Sequence, residues 1–448
     1  MLIYLPVEVS RREMVAKIFT ATILASKGYP VVVFKNTFFE RNNWPSPGLY
    51  IGKNCFWNYG FGEEPNYHKM KELGIRVWHL DEEGGIYIGA AESEWKRLFR
   101  KRLNPSALRA DDKIFAWGEW QRDDLLQSNP SCPVHITGSP NFDMLAPPYS
   151  DALAAFDRVE TDGRENFILV NTRFSLSNGL MSLQRHLQDD SPSTQQFDAH
   201  TLRIWASQSA ILQYHFISLV QKLSEALPHD QIILRPHPAE NPEIYRLLLA
   251  GFSNVSVEWR GDVGSWIRQC RALIHNGCTT AVQAQFAKKP VISYVPLVDE
   301  DGQTPGLPNL IGVRCETVSA VIEALQVGQV ADGPEVLRRT IAGTDAIDKI
   351  VAMVEAECVP PADGTDLDGI VAQVERVARF VAKKDARKRL VRRIFPKRRN
   401  ENKGKKFDAA FFRRATEVFE AAKKHVNRPV EILAPHEECF LLLPGKAD

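Results

Sequence analysis

An apolar strand ending at Ile274 runs into His275-Asn276-Gly277-Cys278 and then Thr279-Thr280. From there a helix is predicted to continue to Lys288, before a second apolar strand after Pro290. A turn at Asn276-Gly277 that opens a helix aims backbone N–H groups and two hydroxyls at the C-terminal end of the sheet. The helix dipole favours phosphate at such an end. About forty residues earlier, the strand Gln231–Leu234 ends in Arg235-Pro236-His237-Pro238. Prolines on both sides of His237 fix the loop that aims its imidazole, which can donate to a phosphate while Arg235 adds charge. Glu240 is placed to orient His237 or to cap the next helix. Two strand ends with phosphate chemistry imply one nucleotide site.

A third strand end carries acids. Asp81-Glu82-Glu83 follows Val77–Leu80 and leads into Gly84-Gly85. Carboxylates this close raise at least one pKa, which suits a general base, and the glycines let a ligand approach the backbone. Further polar residues stand at strand ends: Glu8, Glu119, Asn171, Arg173, Ser139, Asn141 and Asn309. Together they mark the rim of an expected interdomain cleft. His275 is read as structural, and Cys278 has no evident base to make it a nucleophile.

The elements that must position these residues alternate between strand and helix. Residues 1–148 show strands at Leu2–Leu5, Val31–Phe34, Gly48–Ile51, Arg76–Leu80, Lys113–Trp117 and Val134–Thr137, with helices between, including Ser93–Leu103. That is an α/β unit with a largely parallel sheet. Residues 149–165 read as a linker from Pro147-Pro148 to Asp162-Gly163. A second alternating unit spans 166–358, with one long helix at Trp205–Leu227 and another expected over Glu335–Glu355. The fold class is therefore α/β, with two Rossmann-type domains.

Composition bounds the function. The 448-residue chain is 44% hydrophobic and 25% charged with a net charge of +1, so it is globular and not a nucleic-acid magnet. Seven scattered cysteines fit reduced thiols and exclude a zinc ribbon or a disulfide scaffold. The N-terminal strand lacks the pattern of a signal peptide, and no apolar run is long enough to span a bilayer. A cytoplasmic protein is expected. Residues 359–448 read as a basic helical extension in which Lys383–Lys406 holds 13 Lys or Arg against Asp385 and Glu401. Leu390, Val391, Ile394 and Phe395 are interleaved, the pattern of an element lying on an anionic membrane surface.

The ordered set Leu5-Pro-Val-Glu8, Leu80-Asp-Glu-Glu-Gly84, Phe115-Ala-Trp-Gly-Glu119, Thr137-Gly-Ser-Pro-Asn141, Leu169-Val-Asn-Thr172, Arg235-Pro-His-Pro238 and Ile274–Thr280 resembles the bacterial surface carbohydrate biosynthesis proteins. More distantly it is similar to CMP-sugar-dependent glycosyltransferases of the GT-B fold: sialyl-, polysialyl- and Kdo transferases. The resemblance implies a GT-B-like fold with a cleft between acceptor and donor domains. It implies that Glu83, with Glu82 beside it, is the general base. His237 with Thr279 and Thr280 would hold the donor phosphate; the strand-end reading adds Arg235, Asn276 and Gly277 around it. Retaining Kdo transferases place a nucleophilic aspartate just after the first strand of the second domain. Here that stretch is Asn171–Asn178 without a carboxylate, which favours inversion.

These readings converge on a metal-independent glycosyltransferase of surface polysaccharide synthesis. It would use a nucleotide-activated, CMP-linked sugar as substrate, no resident cofactor, and a lipid-linked or oligosaccharide acceptor. The rivals are a CDP-glycerol-type polyol phosphate transferase, a non-catalytic glycan-assembly module and a hydrolysing sugar epimerase.

Overall fold

The computed structural model describes residues 1–36, 38–39, 44–45, 47–53, 65–80, 82, 103–189, 191, 193–194, 198–297, 306–361, 365–394 and 409–445. Two α/β units each carry a sheet with a parallel core. The expected α/β class with two Rossmann-type units is what the chain adopts.

The first sheet contains β1 (Leu2–Val7), β2 (Val31–Lys35), β3 (Gly48–Gly52), β4 (Arg76–Leu80), β5 (Lys113–Ala116) and β6 (Val134–Ile136). The second contains β7 (Phe167–Asn171), β8 (Ile232–Arg235), β9 (Val255–Val257), β10 (Cys270–His275), β11 (Val291–Tyr294) and β12 (Val313–Cys315), all parallel, in the order β12-β11-β10-β7-β8-β9. Runs such as Val31-Val-Val-Phe34 and Phe167-Ile-Leu-Val170 are apolar on both faces, because helices cover both sides of each sheet.

Alternation along the second sheet separates two cores. Ile168, Val170, Ile232, Leu234, Ile274 and Ile292 face the long helix Ala199–Ala226. Phe167, Leu169, Ile233, Leu273 and Val291 face the other way, onto Trp266 and Ile267, and share that core with Trp117, Phe142 and Leu145 of the first unit. The units are also tied by Arg268, which makes a two-pronged contact with Asp157 at 2.6 and 2.7 Å. Asp143 accepts from the backbone N–H of Ile347 at 2.7 Å and so caps the helix Ala346–Glu357.

Three expectations are corrected. The stretch 149–165, expected as a linker, contains the helices Tyr149–Ala152 and Ala154–Glu160, whose Tyr149, Leu153 and Phe156 enter the main core of the first unit. The single helix expected over Glu335–Glu355 is two, Glu335–Thr340 and Ala346–Glu357, separated at Gly343 with φ +136°. The extension 359–448 is not only helical. After the helices Thr365–Ile394 and Ala409–Lys423, the hairpin β13 (Val430–His436) and β14 (Cys439–Pro444) returns to the first sheet. β14 pairs antiparallel with β2, giving the order β13-β14-β2-β1-β3-β4-β5-β6. Phe440 and Leu442 then lie fully buried beside Val31 and Val33. Of the basic stretch Lys383–Lys406, residues 395–406 lie outside the described residues, as does the helix expected at Ser93–Leu103 apart from Leu103.

Candidate functional site

The chain enters the second sheet at β7, adds β8 and β9 on one side, then crosses back to place β10, β11 and β12 on the other. The strand order reverses between β7 and β10. Ligands of open parallel sheets bind in the crevice beyond the strand ends at such a reversal. Asn171-Thr172-Arg173 leaves β7 there, and His275–Thr280 leaves β10.

A buried polar row crosses this end of the sheet. His275 pairs in register with Ser293, Asn171 with Arg235, and the β10–β7 ladder ends at Ile274 and Val170, one residue below. Alternation puts all four side chains on the face turned to the first unit. None exceeds 7% exposure. Four apolar strands thus carry polar side chains at or one residue before their C-terminal ends.

The turn after β10 is clamped from both sides. Gly277 has φ +58°, a conformation glycine adopts without strain. Its N–H donates to Oδ1 of Asn309 at 2.6 Å, and the Ser293 hydroxyl donates to the same oxygen at 2.7 Å. Its carbonyl accepts from Arg173 Nη1 at 2.8 Å. Asn276 Nδ2 donates to the Tyr294 carbonyl at 3.1 Å, and the Cys278 N–H donates to His275 Nδ1 at 3.4 Å. The Gly277 N–H and the Asn276 amide, expected on phosphate, are therefore spent on shaping the turn. Thr279 precedes the helix Thr280–Phe286 without a side-chain capping bond.

Several buried polar atoms here have no hydrogen-bond partner: Nε2 of His275, Oγ1 of Thr280, Nδ2 of Asn309 and Oδ1 of Asn171. A buried polar group left unpaired costs about 1–3 kcal/mol. Burial, with the nearby Arg173 guanidinium, pushes the His275 pKa down to about 3. The ring is therefore neutral, and with Nδ1 accepting from Cys278 its proton sits on Nε2.

On the other side of β7 stands the proline-flanked loop. His237 is exposed. Its Nδ1 accepts from the Ala239 N–H at 3.2 Å. The loop is organised by Glu240, which is fully buried. Oε1 of Glu240 accepts from the His237 N–H at 2.9 Å, and its carboxylate also takes the hydroxyls of Thr172 and Tyr245. Burial raises the Glu240 pKa to about 7 against these bonds. Arg235 departs from expectation. Its guanidinium stacks on Trp266 and donates to the carbonyls of Arg260 and Gly261 at 2.5 and 2.7 Å, so it holds a turn. The exit of β7 links both loops, Thr172 through Glu240 and Arg173 through Gly277.

The first sheet reverses between β1 and β3, and a buried charge cluster sits at those strand ends. Lys53 pairs with Glu8 and with Glu13, both at 3.0 Å. Lys17 pairs with Glu82 at 2.9 Å, and Asn141 Nδ2 donates to the other Glu82 oxygen at 2.7 Å. Burial raises the Glu13 pKa, opposed by Lys53 and reinforced by Glu82. Glu82, expected near the base, is thus held by a cation and an amide on separate oxygens. Glu83 lies outside the described residues. Glu119 is exposed and makes only a 3.8 Å surface pair with Arg339, a contact of small energy.

Sequence reasoning missed Glu13, Lys17 and Lys53. The first two are four residues apart on the helix Ser10–Ser26, and they are buried charges among the apolar residues that follow Arg11 and Arg12. Lys53 directly follows β3 and could have been found as another strand-end residue. Among the described residues no group of His, Cys, Asp and Glu could hold a metal ion, and no helix is long and apolar enough to cross a membrane.

No family model matches the chain, and no curated protein sequence does. Among solved structures it is similar to the UDP-GlcNAc 2-epimerase of Methanocaldococcus jannaschii in complex with UDP-GlcNAc and UDP, at 11% identity and TM-score 0.45, covering 80% of this chain and 100% of that one. It is similar to the UDP-GlcNAc 2-epimerase of Neisseria meningitidis bound to UDP-GlcNAc, at 14% identity and TM-score 0.44, covering 80% and 99%. It is also similar to the wall teichoic acid polymerase TagF, at 10% identity and TM-score 0.47, covering 80% and 88%.

Proposed function

We propose that this chain is a glycosyltransferase of surface polysaccharide synthesis that takes a nucleotide-activated, CMP-linked sugar as donor. The carrying observation is the coincidence of the β7/β10 reversal with unpartnered buried polar groups and, one strand away, the His237 loop braced by Glu240. A parallel sheet receives its ligand at that place, and the groups there suit a phosphate ester.

In this reading the donor lies on the second unit. The phosphate takes hydrogen bonds from Thr279, Thr280 and Nε2 of His237, which stabilise the charge that builds on the leaving phosphate. Glu83 removes the proton from the acceptor hydroxyl as its oxygen bonds to the anomeric carbon, and CMP leaves from the opposite face, so the sugar is transferred with inversion. Glu82, fixed by Lys17 and Asn141, directly precedes Glu83 in the chain. The lipid-linked or oligosaccharide acceptor approaches from the first unit. The basic stretch Lys383–Lys406 holds the enzyme to anionic lipid on the cytoplasmic face of the membrane, where such an acceptor is presented.

The test is a donor screen of CMP-sugars, UDP-sugars and CDP-glycerol, scored by released nucleotide with lipid-linked glycan as acceptor. Release of CMP dependent on acceptor supports the reading. Turnover of CDP-glycerol alone assigns polyol phosphate transfer instead, and no turnover of any donor removes the enzymatic reading.

A further inference from the structure

The exits of β8 and β9 bring a tryptophan to the His237 loop. Leu234 pairs in register with Val257, so Trp259, two residues past β9, comes level with Pro236 and His237. Its indole N–H donates to the His237 carbonyl at 3.2 Å. The ring is half-buried and lies outside the four hydrophobic cores of the described residues. The turn that follows it is fixed by buried charge. Arg235 donates to the carbonyls of Arg260 and Gly261, and Oε2 of Glu160 accepts the Asp262 N–H at 2.7 Å. Gly261 has φ +76°, and a Cβ there would stand 2.4 Å from the same Glu160 oxygen, so glycine makes this turn without a shift. The indole is thus held beside the His237 loop by its own N–H and by the chain that follows. An aromatic side chain pre-set in this way loses little rotamer freedom when a flat ring lies on it.

The run of the donor follows from its chemistry. Its sugar carbon must meet an acceptor on the first unit. With the phosphate at His237, the nucleoside is left to lie along the second unit. On the β9 side, about one strand spacing or roughly 4.8 Å from the His237 strand, the aromatic surface offered is that of Trp259. Every nucleobase has a π-face, and stacking on an indole needs no particular hydrogen-bond pattern of the base.

We infer that Trp259 is the platform on which the nucleobase of the donor stacks, a binding residue for the nucleoside half of the ligand. The inference rests on the donor site proposed above and deepens it: His237 meets the phosphate, and Trp259 meets the base.

The experiment measures binding of CMP, UMP and ribose 5-phosphate to the full chain by calorimetry, in wild type, Trp259→Phe and Trp259→Ala. Ribose 5-phosphate carries the phosphate and the sugar without a base. Wild type is expected to bind CMP about 10- to 100-fold more tightly than ribose 5-phosphate. Trp259→Ala is expected to bring CMP down to the affinity of ribose 5-phosphate and to leave ribose 5-phosphate unchanged. Trp259→Phe loses the hydrogen bond to His237 but keeps a π-face, and is expected to retain most of the preference for CMP. Trp259→Leu, apolar and without a π-face, takes the place of Trp259→Ala if that variant does not fold.

CMP bound as tightly by Trp259→Ala as by wild type overturns the platform and leaves the CMP donor standing. Trp259→Phe as weak as Trp259→Ala, with ribose 5-phosphate weakened in both, also overturns it, because the indole then only braces His237. A preference for UMP over ribose 5-phosphate that Trp259→Ala abolishes, with no binding of CMP, upholds the platform while removing the CMP reading. No binding of either nucleotide to wild type overturns both.

Discussion

The carboxylate of Glu240, buried beneath the loop that follows β8, accepts the backbone N–H of His237 at 2.9 Å. The imidazole that sequence places at the site is therefore aimed by main chain, with prolines fixing its neighbours and a buried acid fixing its own N–H. Thr172 and Tyr245 complete the acid's shell, so the loop, the β7 exit and the helix Glu243–Leu248 are joined at one carboxylate.

Replacing that acid tests the bracing. Glu240→Ala leaves the His237 N–H and two hydroxyls without an acceptor, and is expected to lose about 3 kcal/mol of stability in urea unfolding and to raise the KM for donor. Glu240→Gln keeps an acceptor for His237 and is expected to recover most of both effects. Equal effects of the two variants would mean that the charge, and not the bracing, matters.

Protonation gives two opposite signatures. Burial lifts Glu240 from 4.5 to about 7, so the fold prefers its protonated form. Its contribution is fully present below pH 4.5, declines as pH rises to about 7 and is level above. The stability difference between wild type and Glu240→Gln should therefore fall by about 3 kcal/mol across that window. His275 is lowered from 6.5 to about 3, so the fold prefers the neutral ring, and stability is lost as pH falls from 6.5 towards 3. The difference between wild type and His275→Gln should rise by about 1.4 kcal/mol per pH unit between pH 4.5 and 6.5. Chemical denaturation at several pH values checks both signs.

At the first sheet, Lys17→Met leaves the Glu82 carboxylate buried without its cation. The expected loss is about 3–5 kcal/mol, largely restored in Lys17→Met/Glu82→Leu. Glu83→Gln should instead abolish transfer at unchanged stability. A Lys17→Met protein as stable as wild type would show that this pair is not buried in solution.

Part of this was legible in the chain. Repeated apolar runs ending in turn residues point to two sheets with parallel cores, because strands covered on both faces read so. The same runs locate Asn171, His237 and the Asn276–Thr280 turn, since strand ends are where the polar residues begin. What escaped depends on distant pairing. That Arg235 turns inward follows from Trp266 and from the carbonyls of Arg260 and Gly261, which nothing near Arg235 announces. That Asn309 consumes the Gly277 N–H depends on a contact thirty-two residues apart. The hairpin β13–β14 was hidden because the basic stretch before it dominates the composition of the extension, while its partner, β2, is near the other end of the chain.

That hairpin gives a further prediction. Phe440 is fully buried in the first core although it belongs to the last twenty residues. Phe440→Ala should cost about 3–5 kcal/mol. A change below about 0.5 kcal/mol in urea unfolding would mean that β14 does not pair with β2 in solution.

The most direct test of a nucleotide site on the second unit is the melting temperature of the full chain with and without CMP, in wild type and His237→Ala. Binding raises the melting temperature by mass action. A concentration-dependent rise with CMP is expected in wild type and is largely removed by His237→Ala. No rise with CMP in wild type, or an equal rise in both proteins, would contradict it.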